Sequence, residues 1–310
     1  MKHWRNLITK RQIGLGVGII IVLAAGCYGS IIVSRPWRAA RAAQYLSSAQ
    51  TEITTNPKRS ASDIQLALFV SPNNEAAASW AADLYLQLGQ TDPALEELKR
   101  LPVESGGGRL ADVYLKQRRF TEATEVLNKL LMARQEPLWL TQRAIATIEQ
   151  GSGENALGDL KTAYRATPTP SIALLTVLVA LATGHRDLAL QITTPDADTQ
   201  GEINAAIANP IILGRLLYEH GLPATAKTVL IGTDETSTVK FLILARIELE
   251  QGSGKTNFDQ AIGYLNSGLE LDPSDLSLNR GLLEVYEFKH DDAAAKTQQG
   301  MLDRITAGTP

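Results

Sequence analysis

Two patterns of apolar and polar residues divide the chain. Between Ile13 and Val33 there is no charged side chain, an apolar run of 21 residues. As a helix that run would be about 30 Å long, the thickness of a bilayer core. From about residue 38 onward the pattern changes. Helical stretches rich in small residues alternate with short turns containing glycine or polar residues, and an alanine then opens the next helix. That alanine falls at Ala61, Ala94, Ala123, Ala156, Ala189, Ala226, Ala261 and Ala295, at intervals of 33, 29, 33, 33, 37, 35 and 34 residues. A regular spacing near 34 predicts stacked helix pairs.

The residues around the markers carry the same signal. Residues 84–101, LYLQLGQTDPALEELKRL, and 114–131, YLKQRRFTEATEVLNKLL, each read as an apolar first helix, a turn, and a second helix begun by the alanine. Residues 258–275 and 64–77 run into Asp-Pro or Ser-Pro, where proline ends the second helix because it lacks an N–H and restrains its predecessor. On these residues the chain resembles the tetratricopeptide repeat family over roughly residues 38–306, with seven or eight helix pairs and a degenerate stretch near 171–207. The resemblance is to a membrane-anchored, bacterial-type member. It implies an all-α fold, with an α-solenoid wound as a right-handed superhelix after the N-terminal segment. It also implies binding of a peptide or protein on a concave face lined by first helices. The domain reading is a basic tail at 1–11, a membrane helix at 12–34 and a repeat domain at 35–310.

The segment 12–34 is expected to span a membrane once. Basic residues flank it, and Trp4, Tyr28 and Trp37 are placed to sit at the interfaces. Lys2, Arg5, Lys10 and Arg11 precede it; Arg35, Arg38 and Arg41 follow. Positive-inside reasoning puts the N-terminus in the cytoplasm and the body outside it. Leu23-Ala24-Ala25-Gly26-Cys27 also resembles a bacterial lipobox, in which the sole cysteine would be lipidated; the apolar run continuing through Ile31-Ile32-Val33 weighs against this. Gly14 and Gly18 allow close self-association of such helices.

Charge narrows the function. The net charge of −3 hides seven bases and no acid in residues 1–41, leaving 23 bases against 33 acids in the remainder. A body at −10 is a poor partner for a nucleic-acid backbone. A single cysteine excludes an internal disulfide and a cysteine-based zinc site. No catalytic residue, metal site or cofactor is nominated; His185, His220 and His290 each fall beside a turn.

Three motifs offer other chemistry. Gly254-Lys255-Thr256 matches the end of a phosphate-binding loop, but the first glycine of that loop would be residue 249, which is Leu249. Glu-Gln-Gly-Ser-Gly at 250–254 repeats 149–153, so Lys255-Thr256 reads as part of a turn enlarged by four residues. Residues 196–202, DADTQGE, hold Asp196, Asp198 and Gly201 of a calcium loop, but position 5 is Gln200 and position 12 is Ile207. A polar connector is the expectation there. Gly106-Gly107-Gly108 reads as a flexible break or joint.

By register, the first-helix residues expected to face the groove are Asp83, Gln87, Asp112, Lys116, Glu149, Arg215, Glu219, Arg246 and Glu250. Arg215/Glu219 and Arg246/Glu250 are either a polar stripe that reads a ligand or i,i+4 pairs on a solvated face. Some family members hold chaperone C-termini in a clamp of lysines and asparagines. The matching positions, Ser79, Asp83 and Gln87, then Gly108, Asp112 and Lys116, lack that pattern. The expected role is a scaffold or accessory subunit of a membrane or envelope complex. The alternatives are an envelope lipoprotein acting in assembly or secretion and, from a different class, a nucleotide-binding enzyme.

Overall fold

The computed structural model describes residues 36–252 and 255–307. The basic tail, the expected membrane segment with Gly14, Gly18 and Cys27, and Ser253-Gly254 lie outside the described residues. Within them the chain is all helical, with seventeen helices and no strand. No helix among the described residues is long and apolar enough to cross a membrane.

In chain order, α1 covers 36–52. It is followed by α2 (Pro57–Val70), α3 (Glu75–Gln87), α4 (Thr91–Arg100), α5 (Val103–Lys116), α6 (Phe120–Ala133), α7 (Pro137–Glu149) and α8 (Gly153–Ala166). Then come α9 (Pro170–Ala182), α10 (Arg186–Ala189), α11 (Ala197–Ala208), α12 (Pro210–Glu219) and α13 (Pro223–Gly232). The last four are α14 (Thr238–Gln251), α15 (Lys255–Leu271), α16 (Leu276–Phe288) and α17 (Asp292–Thr306). They form two compact units, Met1–Val113 and Tyr114–Pro310.

Within the pairs, six turns have one construction. The first helix ends at a residue with left-handed backbone: Gly89, Arg118, Gly151, Gly184, Gly221 and His290, with φ between 55° and 83°. At the first of them, Gln90 N–H donates to the Tyr85 carbonyl at 2.8 Å and Gly89 N–H to that of Leu86 at 3.1 Å. This is the Schellman closure of a helix C-terminus, and the other five turns repeat it. The residue after the left-handed one is also the N-cap of the second helix. Its carbonyl accepts from the marker alanine, as in Ala123 N to Arg119 O at 3.0 Å and Ala226 N to Leu222 O at 2.8 Å. Each marker therefore stands five residues beyond the left-handed one. Glycine takes this conformation without a Cβ clash; Arg118 and His290 take it at a cost.

The marker is small because the paired helices touch there: Ala94, Ala123, Ala156, Ala189, Ala226 and Ala261 are fully buried. In the first pair the marker is not Ala61 but Ser60, the fourth residue of α2 and 34 before Ala94. Ser60 is buried, with its hydroxyl donating to the Ala49 carbonyl at 2.9 Å, so a polar residue serves where its hydroxyl has a partner. Seven before the turn residue a second small-residue column occupies four of the six first helices, at Ala82, Ala111, Ala144 and Gly214, while Val177 and Leu283 stand there in the other two. A Cβ on Gly214 would come within 2.4 Å of Leu230 Cδ2.

Three expectations are corrected. Gly106-Gly107-Gly108 is not a break; it lies inside α5, with Gly106 packed so close that a Cβ would be 2.7 Å from that of Leu101. The stretch DADTQGE is not a connector loop; Asp196 caps α11 by accepting from Thr199 N at 2.9 Å, and hydrogen bonding to the Thr199 side chain and then its backbone lowers the Asp196 pKa. The four extra residues before Ala261 do not enlarge a loop around Lys255-Thr256, because both residues belong to α15. Ala261 is the seventh residue of its helix where the other markers are the fourth, so the helix starts about one turn earlier.

Candidate interaction surface

Counting back two and six residues from each turn residue gives the first-helix positions expected to face a groove. Ten back continues the same stripe, since these spacings fall on one helix face. The structure gives that stripe three characters.

In the first unit it is polar and internally bonded. Arg109 of α5 reaches α3, donating to Asp83 Oδ1 at 2.8 Å and to Ser79 Oγ at 2.7 Å. Gln87 accepts from Gln50 Nε2 at 3.5 Å. Asp112 is exposed on α5, and so is Lys116 further along that helix, within the second unit.

In the middle of the second unit the stripe is apolar and covered. The positions on α9 are Leu174, Leu178 and Ala182, and Leu174 and Leu178 are 3% and 0% exposed. Eight successive residues of α9, Ala173 to Ala180, are buried. The causes lie on both sides. The second helix of this pair, α10, is a single turn, and the extra helix α11 packs on α9 beside it. In addition α12 packs on α9, and the start of α13 packs on α7. Glu149, at the end of α7, has a side chain with 0% exposure. Its carboxylate accepts from Ala224 N at 3.1 Å, Thr225 N at 3.1 Å and Thr225 Oγ1 at 3.0 Å, with Arg118 Nη2 at 3.5 Å. The N-cap of α13, Leu222, has no side chain able to cap it. Glu149 caps that helix from 75 residues away and meets the positive end of its dipole.

Toward the C-terminus the stripe is charged and open. Arg215 and Glu219 on α12 form an exposed i,i+4 pair at 2.9 Å. Arg246 and Glu250 form no such pair: Glu250 accepts from the Tyr218 hydroxyl. Burial first, then the Glu250 hydrogen bond and charge, push Tyr218 up to about 12; Arg246 opposes them. A cleft of about 170 Å³ opens between α14 and α16. Leu242, Ala245, Arg246 and Leu249 line one side, Ser277, Arg280, Gly281 and Glu284 the other, and Leu265 of α15 the floor. Arg280 and Glu284 occupy the ten- and six-back positions of α16. Neither was among the residues expected from sequence, although Ala295 and His290 already placed a turn there.

The remaining chemical candidates gain no site. Helix α14 precedes Lys255 where a phosphate loop requires a strand. Among the described residues no three His, Cys, Asp or Glu side chains group to hold a metal. His185, His220 and His290 lie at turns, with His185 near Glu154 at 3.5 Å and Thr183 Oγ1 at 3.0 Å.

No family model matches the sequence, and no curated protein does. Similar solved structures are helical-repeat proteins of low identity. One is a tetratricopeptide repeat protein from Parabacteroides merdae, 12% identical over 80% of this chain and 98% of the other, with a TM-score of 0.46. Another is a thermophilic repeat protein of the same kind from Thermus thermophilus, 22% identical over 54% and 100%, TM-score 0.37. PilF of Pseudomonas aeruginosa is 14% identical over 78% and 97%, TM-score 0.35. The repeat architecture rests on the chain's own turns and columns, which these likenesses accompany.

Proposed function

We propose that the chain is a non-catalytic scaffold that binds a protein or peptide through its first-helix stripe while residues 12–34 hold it in a membrane. The observation that carries this is the open, charged stretch of that stripe on α12, α14 and α16, where Arg246, Arg280 and Glu284 are exposed. None of the three has an ionic or hydrogen-bonding partner among the described residues. A row of charges on one face beside a cleft is available to a ligand of complementary charge. The uncharged run from Ile13 to Val33 supports the membrane reading, and the basic flank before it supports a body outside the cytoplasm.

In-cell crosslinking of the full chain followed by mass spectrometry tests the scaffold. Crosslinks from α12, α14 and α16 to one recurring protein are expected, and their absence would sink the reading. Protease added to intact cells should remove the body; protection until lysis would reverse the orientation. The Leu23–Cys27 pattern favours a second form of anchor. Cys27→Ser leaves a spanning protein in the membrane fraction and releases a lipoprotein.

A further inference from the structure

The cleft between α14 and α16 has a size, a floor and a charge, and together they describe an occupant. Its volume of about 170 Å³ is below the several hundred of a cofactor or drug-sized pocket and close to a space that holds one benzene ring. It is therefore sized for one apolar side chain. The floor fits that role, since Leu265 is buried and Leu242 half-buried. Gly281 lets the floor approach its helix: a Cβ there would lie 3.0 Å from Leu265 Cδ2, and a larger side chain would displace Leu265 and crowd the cleft. A glycine inside a helix costs roughly 1 kcal/mol against alanine, so close approach or vacancy must compensate.

The rim adds the charge. Arg246 and Arg280 stand on facing helices with only Glu284 among the lining acids, while Glu250 nearby is engaged by Tyr218. The local excess is positive on a body that carries ten more acids than bases beyond residue 41. Two guanidinium groups on facing walls, without a partner among the described residues, suit a carboxylate, which each can hold through charge-assisted hydrogen bonds.

We propose that this cleft docks an acidic peptide segment of a protein partner, with one apolar side chain seated over Leu242 and Leu265 and a neighbouring carboxylate held between Arg246 and Arg280. The assignment rests on the scaffold reading and names its site and ligand chemistry.

The test uses the full chain in lipid nanodiscs and two pools of fluorescent seven-residue peptides. One pool has a fixed central Leu-Glu, the other Leu-Gln, with the remaining positions randomised. The Leu-Glu pool is expected to bind about tenfold more tightly, as a charge-assisted bond to arginine implies. Arg246→Gln with Arg280→Gln should erase that preference without changing the melting temperature, both residues being exposed. Gly281→Leu should abolish binding of either pool; should it fail to fold, the arginine variant carries the test alone. Equal binding of the two pools, no binding of either, or a preference that survives loss of both arginines would overturn the proposal. So would displacement of the peptide by a short single-stranded RNA with the same arginine dependence. A partner whose crosslinking is untouched by the arginine variant would leave the scaffold standing and remove the cleft from it.

Discussion

Glu-Gln-Gly-Ser-Gly ends a first helix twice, at 149–153 and at 250–254, and the two copies do different things. Gly151 is left-handed at φ 82° and closes a Schellman turn; Gly252 is extended at φ 168° and closes none. Glu149 is buried against the start of α13, whereas Glu250 is exposed and meets a tyrosine hydroxyl. Identical pentapeptides thus differ because of what lies beyond them. After Gly151 the next helix begins at Gly153, three residues before its marker; α15 begins six before its own. That earlier start removes the geometric demand for a left-handed residue. Glu149 has a helix terminus packed upon it, and Glu250 has not.

The largest break in this comparison should come from the two glutamates. Glu149→Ala leaves three donors of α13 and Arg118 without their acceptor and should cost about 3 kcal/mol in urea unfolding. Glu250→Ala, at an exposed site, should cost about 0.5 kcal/mol or less. Equal costs would mean that the long-range cap does not hold α13. The glycines come next. Gly151→Ala should lose about 1 kcal/mol through its positive φ, and Gly252→Ala close to none.

A pH series sharpens the Glu250 side. In the folded chain the Tyr218 hydroxyl is pushed up to about 12, above the usual tyrosine value of about 10. The stability it contributes is complete below pH 10 and is lost as pH rises from there through about 12. Melting temperature should fall over that window, and less so in Tyr218→Phe. The smallest effect belongs to a turn whose residue is not glycine. His290→Gly relieves a left-handed histidine at φ 55° and should raise stability by about 0.5 kcal/mol in thermal melts.

Close helix contact forces small residues at fixed spacing, and that made the repeat visible in sequence. The marker alanines stand out for this reason, and so do the glycines of four of the six turns. Ser60 was hidden because its burial depends on a carbonyl eleven residues back, which no periodicity reports. Arg118 and His290 hold a conformation that sequence habit assigns to glycine, yet the spacing to Ala123 and Ala295 still marked both turns. Gly106 looked like a break because a glycine run has the same letters whether it bends a chain or lets Leu101 approach. The covered face of α9 followed from a shortened α10 and from contacts reaching across two pairs, and a repeat register carries information only between neighbours. For the candidate surface, Arg215, Glu219 and Arg246 were legible as a column; Arg280 and Glu284 needed the turn at His290 to be counted correctly. The second role of Glu149, at a helix 75 residues away, had no local signature.

The early start of α15 has a bearing on how such arrays diverge. Three of the four added residues lengthen α15, a little under one helical turn, and Ala261 is still fully buried although its distance from Gly252 has grown. Insertions of three or four residues pass through a helix nearly in phase; one or two would swing every following side chain off its partner. In this pair the packing is thus kept by angle rather than by length. A search for its relatives that fixes the repeat at 34 residues will miss members that differ by a turn, while one that scores phase will keep them.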